Sequence, residues 1–354
     1  MNIKDRALEQ QAAAEVAAVN EDAREEEKEI AQAEAEAKAQ ALQEKADNDS
    51  FYQKLRDGFD VRILILGDTM ANGYGASSQE KTWASLLEKS IEENYGVEVT
   101  LDNRAILDSG AYAAYAQVKQ IDNEEYDLAI ICTGAVDNEE TLPVYYEATL
   151  RAIQSQFKKC STICVQEYME TDTNARNLSI LSLANAYNAF SADLFSKIYP
   201  TAELYMQEGG YLNDKGHGLY ADTIFSIIKS GVEADTEYMI TQETPIYAET
   251  EKYDQFLYVP ADRFNRSGMQ YTMETSFTGI VSLEFAAPPG ESSFDIYVDR
   301  VKTASYTVTN TISVPVQHIE LVDQELKANR RFGIIFRNEE LANGFHGICV
   351  TTTG

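Results

Sequence analysis

Four short stretches carry side chains able to do acyl-transfer chemistry. Arg62-Ile63-Leu64-Ile65-Leu66-Gly67-Asp68-Thr69 is an apolar run of strand length that ends in a carboxylate and a hydroxyl. A glycine-rich loop, Met70 to Ala76, follows it. Asn103-Arg104-Ala105-Ile106-Leu107-Asp108-Ser109-Gly110 and Gly134-Ala135-Val136-Asp137 set acids and amides beside glycines in the same way. Asp214-Lys215-Gly216-His217 pairs a carboxylate with an imidazole three residues on. A hydroxyl nucleophile needs a base within hydrogen-bond reach, and the oxyanion it generates needs fixed donors. These stretches are the candidates for both.

Together they resemble the conserved blocks of the SGNH/GDSL hydrolases. In that family Gly-Asp-Ser puts a nucleophilic serine at the end of the first parallel strand. The oxyanion hole there comes from the serine amide, a second-block glycine amide and a third-block asparagine side chain, and an Asp-x-x-His pair activates the serine. The resemblance implies a three-layer α/β/α sandwich. It also exposes departures at each block. Thr69 stands at the serine position, where its extra methyl restricts χ1; mid-chain threonine lacks the N-terminal amine that activates threonine nucleophiles. The second-block glycine position falls on Asp108, with Gly110 two residues late, and a carboxylate there would repel an oxyanion. Val136 replaces the asparagine of Gly-x-Asn-Asp and donates nothing.

The last block admits two registers. In one, Asp214 and His217 are the acid–base pair for Thr69. In the other, Asn213-Asp214-Lys215-Gly216-His217 is the tail that follows the catalytic histidine. Tyr211-Leu212 then replaces His-Pro, Glu208 replaces the aspartate, and His217 is an ordinary helix-start residue. The helix begins too soon after His217 for the first register, which favours the second. Asp68, Thr69, Asp108, Gly134, Val136, Glu208 and Tyr211 then form a degenerate cleft.

The elements that must position these residues alternate between strand and helix. Val61–Leu66, Val97–Leu101, Leu128–Cys132 and Ser161–Gln166 read as strands. Trp83–Tyr95, Ala111–Gln120, Leu142–Phe157, Asn174–Phe195 and Gly218–Lys229 read as helices. Continuously apolar strands separated by helices predict a parallel sheet covered on both faces, with ligands beyond the strand C-termini. After residue 234 short aromatic and β-branched runs (Phe256–Val259, Gln270–Met273, Gly279–Phe285, Phe294–Val298, Ser305–Val308, Ile319–Leu321, Arg331–Phe336) predict an antiparallel β-sandwich. Residues 1–50 contain 14 Ala and 14 Asp or Glu but neither Pro nor Gly. They predict a long N-terminal helix. Val16, Val19, Ala23 and Ile30 share one stripe of it, and two uses are open: a solvated acidic helix, or a docking and oligomerisation helix. The expected domains are thus 1–50, 51–234 and 235–354.

The formal charge of −29 repels phosphate backbones and anionic lipid, so it speaks against nucleic acid and membrane surfaces as partners. No run is long enough to span a membrane, and the N-terminus lacks the apolar core of a signal peptide; the expectation is a cytoplasmically made chain that joins a virion or a surface assembly. Cys132, Cys160, Cys164 and Cys349 read as packed free thiols. With three histidines in the chain no zinc motif emerges, and no cofactor is expected. The resulting expectation is a non-catalytic structural or adhesive subunit, homo-oligomeric or part of an assembly through residues 1–50, with carbohydrate as a candidate ligand. Tyr74, Trp83, Tyr112, Tyr115 and Tyr211 are candidate aromatic faces for sugar. The alternative is an active esterase or deacetylase on O-acylated glycan that uses Thr69 with His217. Turnover of a chromogenic acetyl ester separates the two.

Overall fold

A computed structural model describes residues 28, 30–122, 125–168, 175–236, 244–310 and 313–352, the side chains of 322–324 excepted. The chain divides into two compact units, 1–49 and 50–354. In the first, residues 30–48 are helical (α1), and their side chains are almost all exposed. Pairs four residues apart brace it, among them Gln32 with Glu36 at 2.9 Å and Lys45 with Asp49 at 2.8 Å. Ile30 is 60% exposed. Val16, Val19 and Ala23 lie outside the described residues.

The second unit opens with α2 (Phe51–Asp57), which Ser50 and Gln53 start with a reciprocal capping box. The chain then runs β1 (Val61–Gly67), α3 (Thr69–Asn72), α4 (Trp83–Tyr95), β2 (Val99–Asn103), α5 (Ala111–Lys119), β3 (Leu128–Cys132), α6 (Leu142–Gln156), β4 (Ser161–Gln166), α7 (Ala175–Ala186) and β5 (Phe190–Asp193). The five strands form one parallel sheet in the order β2-β1-β3-β4-β5. Alternate residues of β1 feed opposite cores: Ile63 and Ile65 pack with α2, α4 and the helix Asp214–Glu233, Leu64 and Leu66 with α5, α6 and α7. That two-sided burial is why the strand reads as one unbroken apolar run.

The single helix expected over Asn174–Phe195 is instead a helix and a strand. α7 stops at Ala186, Asn188 takes a left-handed φ of 52°, and Phe190–Asp193 adds the edge strand β5. α8 (Phe195–Ile198), α9 (Ala202–Tyr205) and the small hairpin β6 (Met206–Gln207) and β7 (Tyr211–Leu212) then lead into α10 (Asp214–Glu233).

From Gln255 the chain is antiparallel: β8 (Gln255–Pro260), β9 (Asn265–Ser267), β10 (Gln270–Glu274), β11 (Gly279–Ala287), β12 (Gly290–Val298), β13 (Val301–Asn310), β14 (Val314–Leu326), β15 (Arg331–Phe336), α11 (Glu339–Asn343) and β16 (Phe345–Thr352). Two sheets, β13-β12-β15-β10-β9 and β14-β11-β16-β8, enclose a core that includes Leu283, Phe285, Phe294, Phe332, Ile334 and Phe336. This sandwich packs on α5 and α6. Tyr115 donates to the Tyr253 carbonyl at 2.7 Å, and Tyr145 and Tyr253 both donate to Glu320 Oε2, at 3.2 and 3.0 Å.

Candidate active site

The site forms where β1 ends. Gly67 has a φ of 151°, and a Cβ there would sit 1.8 Å from the Cys132 carbonyl oxygen, so only glycine brings β1 this close to β3. Asp68 then caps the short helix α3, accepting the Met70 N–H at 2.9 Å. Thr69 is its first residue. The 104–110 loop lies against the same strand end: Ile106 N–H donates to the Gly67 carbonyl at 2.8 Å, and Asn103 Nδ2 donates to the Ala71 carbonyl at 3.0 Å. This tether delivers the Asp108 N–H to Thr69 Oγ1 at 2.8 Å.

Asp108 has a φ of 56°, the left-handed region that glycine takes most easily and aspartate tolerates. The donor at this position is a backbone amide, so aspartate in the glycine's place still presents it to Thr69, with its carboxylate as the added charge. At the third block Gly134 has a φ of 140°, and Val136 is 51% exposed in the same cleft lining as Asp108, with no polar atom in its side chain. Asp137 turns inward and accepts the Ala111 N–H at 3.0 Å, which fixes the start of α5.

Neither Asp214 nor His217 is hydrogen-bonded to Thr69. His217 lies in the first turn of α10 with no exposed surface, and its Nδ1 accepts the Trp83 backbone N–H at 3.3 Å. That bond fixes a neutral tautomer, and burial lowers the imidazole's basicity further. Asp214 accepts Ser77 N–H and Oγ–H at 2.8 Å each and Lys81 Nζ at 2.6 Å. The Lys81 bond heads the causes that hold it well below the usual carboxylate range. Asn213 caps α10 through the Lys215 and Gly216 amides, so the Asn-Asp-x-Gly-His run works here as a helix start.

Tyr211 stands on the hairpin that rests on the loop after Thr69. Its ring packs edge-to-face on Tyr74 at 4.6 Å, and Gln207 Nε2 donates to the Gly75 carbonyl at 3.1 Å. Glu208 is exposed at the hairpin turn. Of the other candidate aromatics, Trp83 and Tyr115 are fully buried and cannot offer a face to sugar; Tyr112 lines a cleft, and Tyr74 is 45% exposed.

That cleft, about 360 Å³, opens between Asp108, Val136 and Asn138 on one side and Gln317, His318 and Glu320 of the sandwich on the other. A larger cavity of about 420 Å³ lies between the two sandwich sheets and is lined mainly by Val281, Leu321, Leu326 and Phe332, none of which belongs to the candidate site.

Sequence reasoning missed Glu167. It follows β4, is fully buried, and accepts from Cys132 Sγ at 2.9 Å. Burial, then the Asp68 charge, push its carboxyl well above the usual range; burial pushes Asp68 itself up to about 7. The signal available was one acid at the end of an apolar strand, too little to single it out.

No family model matches the sequence. A GDSL-like esterase of Mycobacterium tuberculosis is 32% identical over 81 residues, 22% of this chain, and the match spans about a quarter (26%) of that esterase. A solved two-domain esterase active on acetylated mannans superposes with a TM-score of 0.71 at 15% identity, over 85% of this chain and 94% of that one. The structure of such an esterase co-crystallised with mannopentaose gives 0.69 at 14% identity, over 85% and 93%. The parallel sheet and the added antiparallel sheets thus recur together in one known fold.

Proposed function

We propose that the chain is a member of the SGNH/GDSL hydrolase family whose cleft binds O-acylated glycan without hydrolysing it. One observation carries the reading: among the described residues, the hydroxyl at the nucleophile position is bonded to an oxyanion-type amide and to no base. Thr69 Oγ1 accepts from Asp108, while His217 is fully buried with its Nδ1 taken by the Trp83 backbone N–H, and Asp214 is spent on Ser77 and Lys81. Without a base the hydroxyl stays protonated and a poor nucleophile. Loss of one oxyanion donor, as at Val136, costs about 100- to 1,000-fold in rate by itself. The cleft between Asp108 and Glu320 remains, and its hydroxyl, amide and carboxylate groups suit sugar hydroxyls. The acetylated-mannan esterases of the same fold support an acylated polysaccharide as the ligand class.

Calorimetry with acetylated and deacetylated mannan tests the binding, and a chromogenic acetyl ester tests the chemistry. Binding without turnover above a Thr69→Ala control is the expected result. The active-esterase reading has its own support, since the relatives are esterases and the Asp108 amide is in place. Turnover that disappears in Thr69→Ala would establish it. In either case residues 1–49, a separate unit with a polar, exposed helix, are proposed as the segment that attaches the protein to an assembly.

A further inference from the structure

Two of the three histidines in the chain stand at one buried carboxylate. Glu284 in β11 is directly opposite His318 in β14, and Gly347 of β16 is its partner on the other side. Cys349 lies two residues beyond Gly347 and so faces the same way as the position opposite Glu284. Carboxylate, imidazole and thiol therefore project from three adjacent strands, and one ligand atom of each lies within 4.8 Å of the others. Side-chain exposure is 4% for His318 and 7% for Glu284, and Cys349 is fully buried. His346 Nδ1 is 3.9 Å from Glu284 Oε1.

We propose that Glu284, His318 and Cys349 bind a divalent transition-metal ion, Zn2+ being the best match, with His346 in reach of the fourth position. Sulfur, imidazole and carboxylate donors are the set that zinc selects, and a tetrahedral ion needs three or four of them at this spacing. Charge gives the second argument. Glu284 accepts from Gln120 Nε2 at 3.0 Å, Tyr258 OH at 2.8 Å and His318 Nε2 at 3.0 Å. Glu320, two residues from His318 in β14, takes its bonds from tyrosine hydroxyls. Among the described residues the two imidazoles are thus the cationic candidates in contact with Glu284, at an interface that holds two carboxylates. Buried negative charge is costly unless a cation compensates it. His318 Nδ1 is also buried without a hydrogen-bond partner, a cost that a metal bond at that nitrogen removes. Binding displaces the Cys349 thiol proton to solvent and forms the metal–sulfur bond in its place. The ligands are 34 and 31 residues apart in sequence (284 to 318, 318 to 349), so no spacing motif announces them.

The test uses the full chain, stripped with a chelator and reloaded with Co2+ alone. One Co2+ per chain with a near-ultraviolet thiolate-to-cobalt absorption band is expected, and Zn2+ should displace it. Cys349→Ser should lose the band, and His318→Gln should bind at least ten-fold more weakly. Melting temperature should rise when Zn2+ is restored to the stripped wild-type chain. If either variant fails to fold, the wild-type cobalt spectrum and zinc titration still decide. Failure of the stripped chain to take up stoichiometric metal overturns the site, as does a thiolate band that persists in Cys349→Ser.

Discussion

Thr69 Oγ1 accepts the Asp108 amide, which leaves the hydroxyl positioned like a nucleophile and unassisted like a surface threonine. If Tyr211 occupies the place of the missing base, restoring family residues at three positions should restore chemistry. Thr69→Ser, Val136→Asn and Tyr211→His together should give measurable hydrolysis of a chromogenic acetyl ester, while each alone stays at background. A steady-state assay on the four proteins decides. Activity in the parent that vanishes on His217→Ala would instead put the base at position 217. The buried acid pair below the site makes a separate prediction. Burial raises Asp68 to about 7 and raises Glu167 well above its ordinary value, so the folded state holds protons that the unfolded chain has released. Stability from this pair is fully present below the ordinary carboxylate range and is lost as pH rises through about 7. Glu167→Gln keeps an acceptor for Cys132 but cannot ionise. Its melting temperature should match wild type near pH 4 and exceed it near pH 8, by scanning fluorimetry; equal slopes would count against a raised pKa at this pair.

Elements hold these side chains through a few contacts that allow no substitute. Gly67→Ala would force a Cβ to 1.8 Å from the Cys132 carbonyl; a loss of roughly 3 kcal/mol or more is expected, read as a lower denaturation midpoint. Glu147 does comparable work where the chain enters the sandwich. On α6 and fully buried, it accepts from Tyr187 OH at 2.6 Å, Ile246 N–H at 2.6 Å, Tyr247 N–H at 3.0 Å and Thr250 Oγ1–H at 2.8 Å. Glu147→Ala leaves those donors unmatched and should cost about 3 kcal/mol or more in a urea titration. Periodicity made the central strands legible: Leu128–Cys132 is apolar throughout, Ile63–Leu66 and Ile163–Val165 are the apolar centres of their strands, and all of these residues are buried. It failed at β5, because Phe190–Asp193 is a half-buried edge strand reached through a left-handed Asn188 with no Gly or Pro to mark it. At the site, residue types were readable and backbone donors were not. The Asp108 amide depends on a φ of 56° and on the Asn103 tether, and neither leaves a trace in the side-chain pattern.

At the scale of the molecule, the charge and the two-unit division bear on how the protein is used. Residues 30–48 bury almost nothing, and the described part of the helix is held by local pairs such as Lys45 with Asp49. Such pairs are worth a few tenths of a kcal/mol each, too little to justify a long helix for its own sake. Residues 50–354 contain the cores of both the parallel sheet and the sandwich, and Ser50 itself caps α2. Deleting residues 1–49 should therefore leave the melting transition of the remainder within about 2 °C, because none of their described side chains belongs to those cores. If the helix serves attachment, the full-length chain should be larger than a monomer by light scattering and the truncated chain monomeric. A monomer in both cases would rule out self-association through this segment, and a truncated chain that still forms the oligomer would place the contact in the folded unit instead.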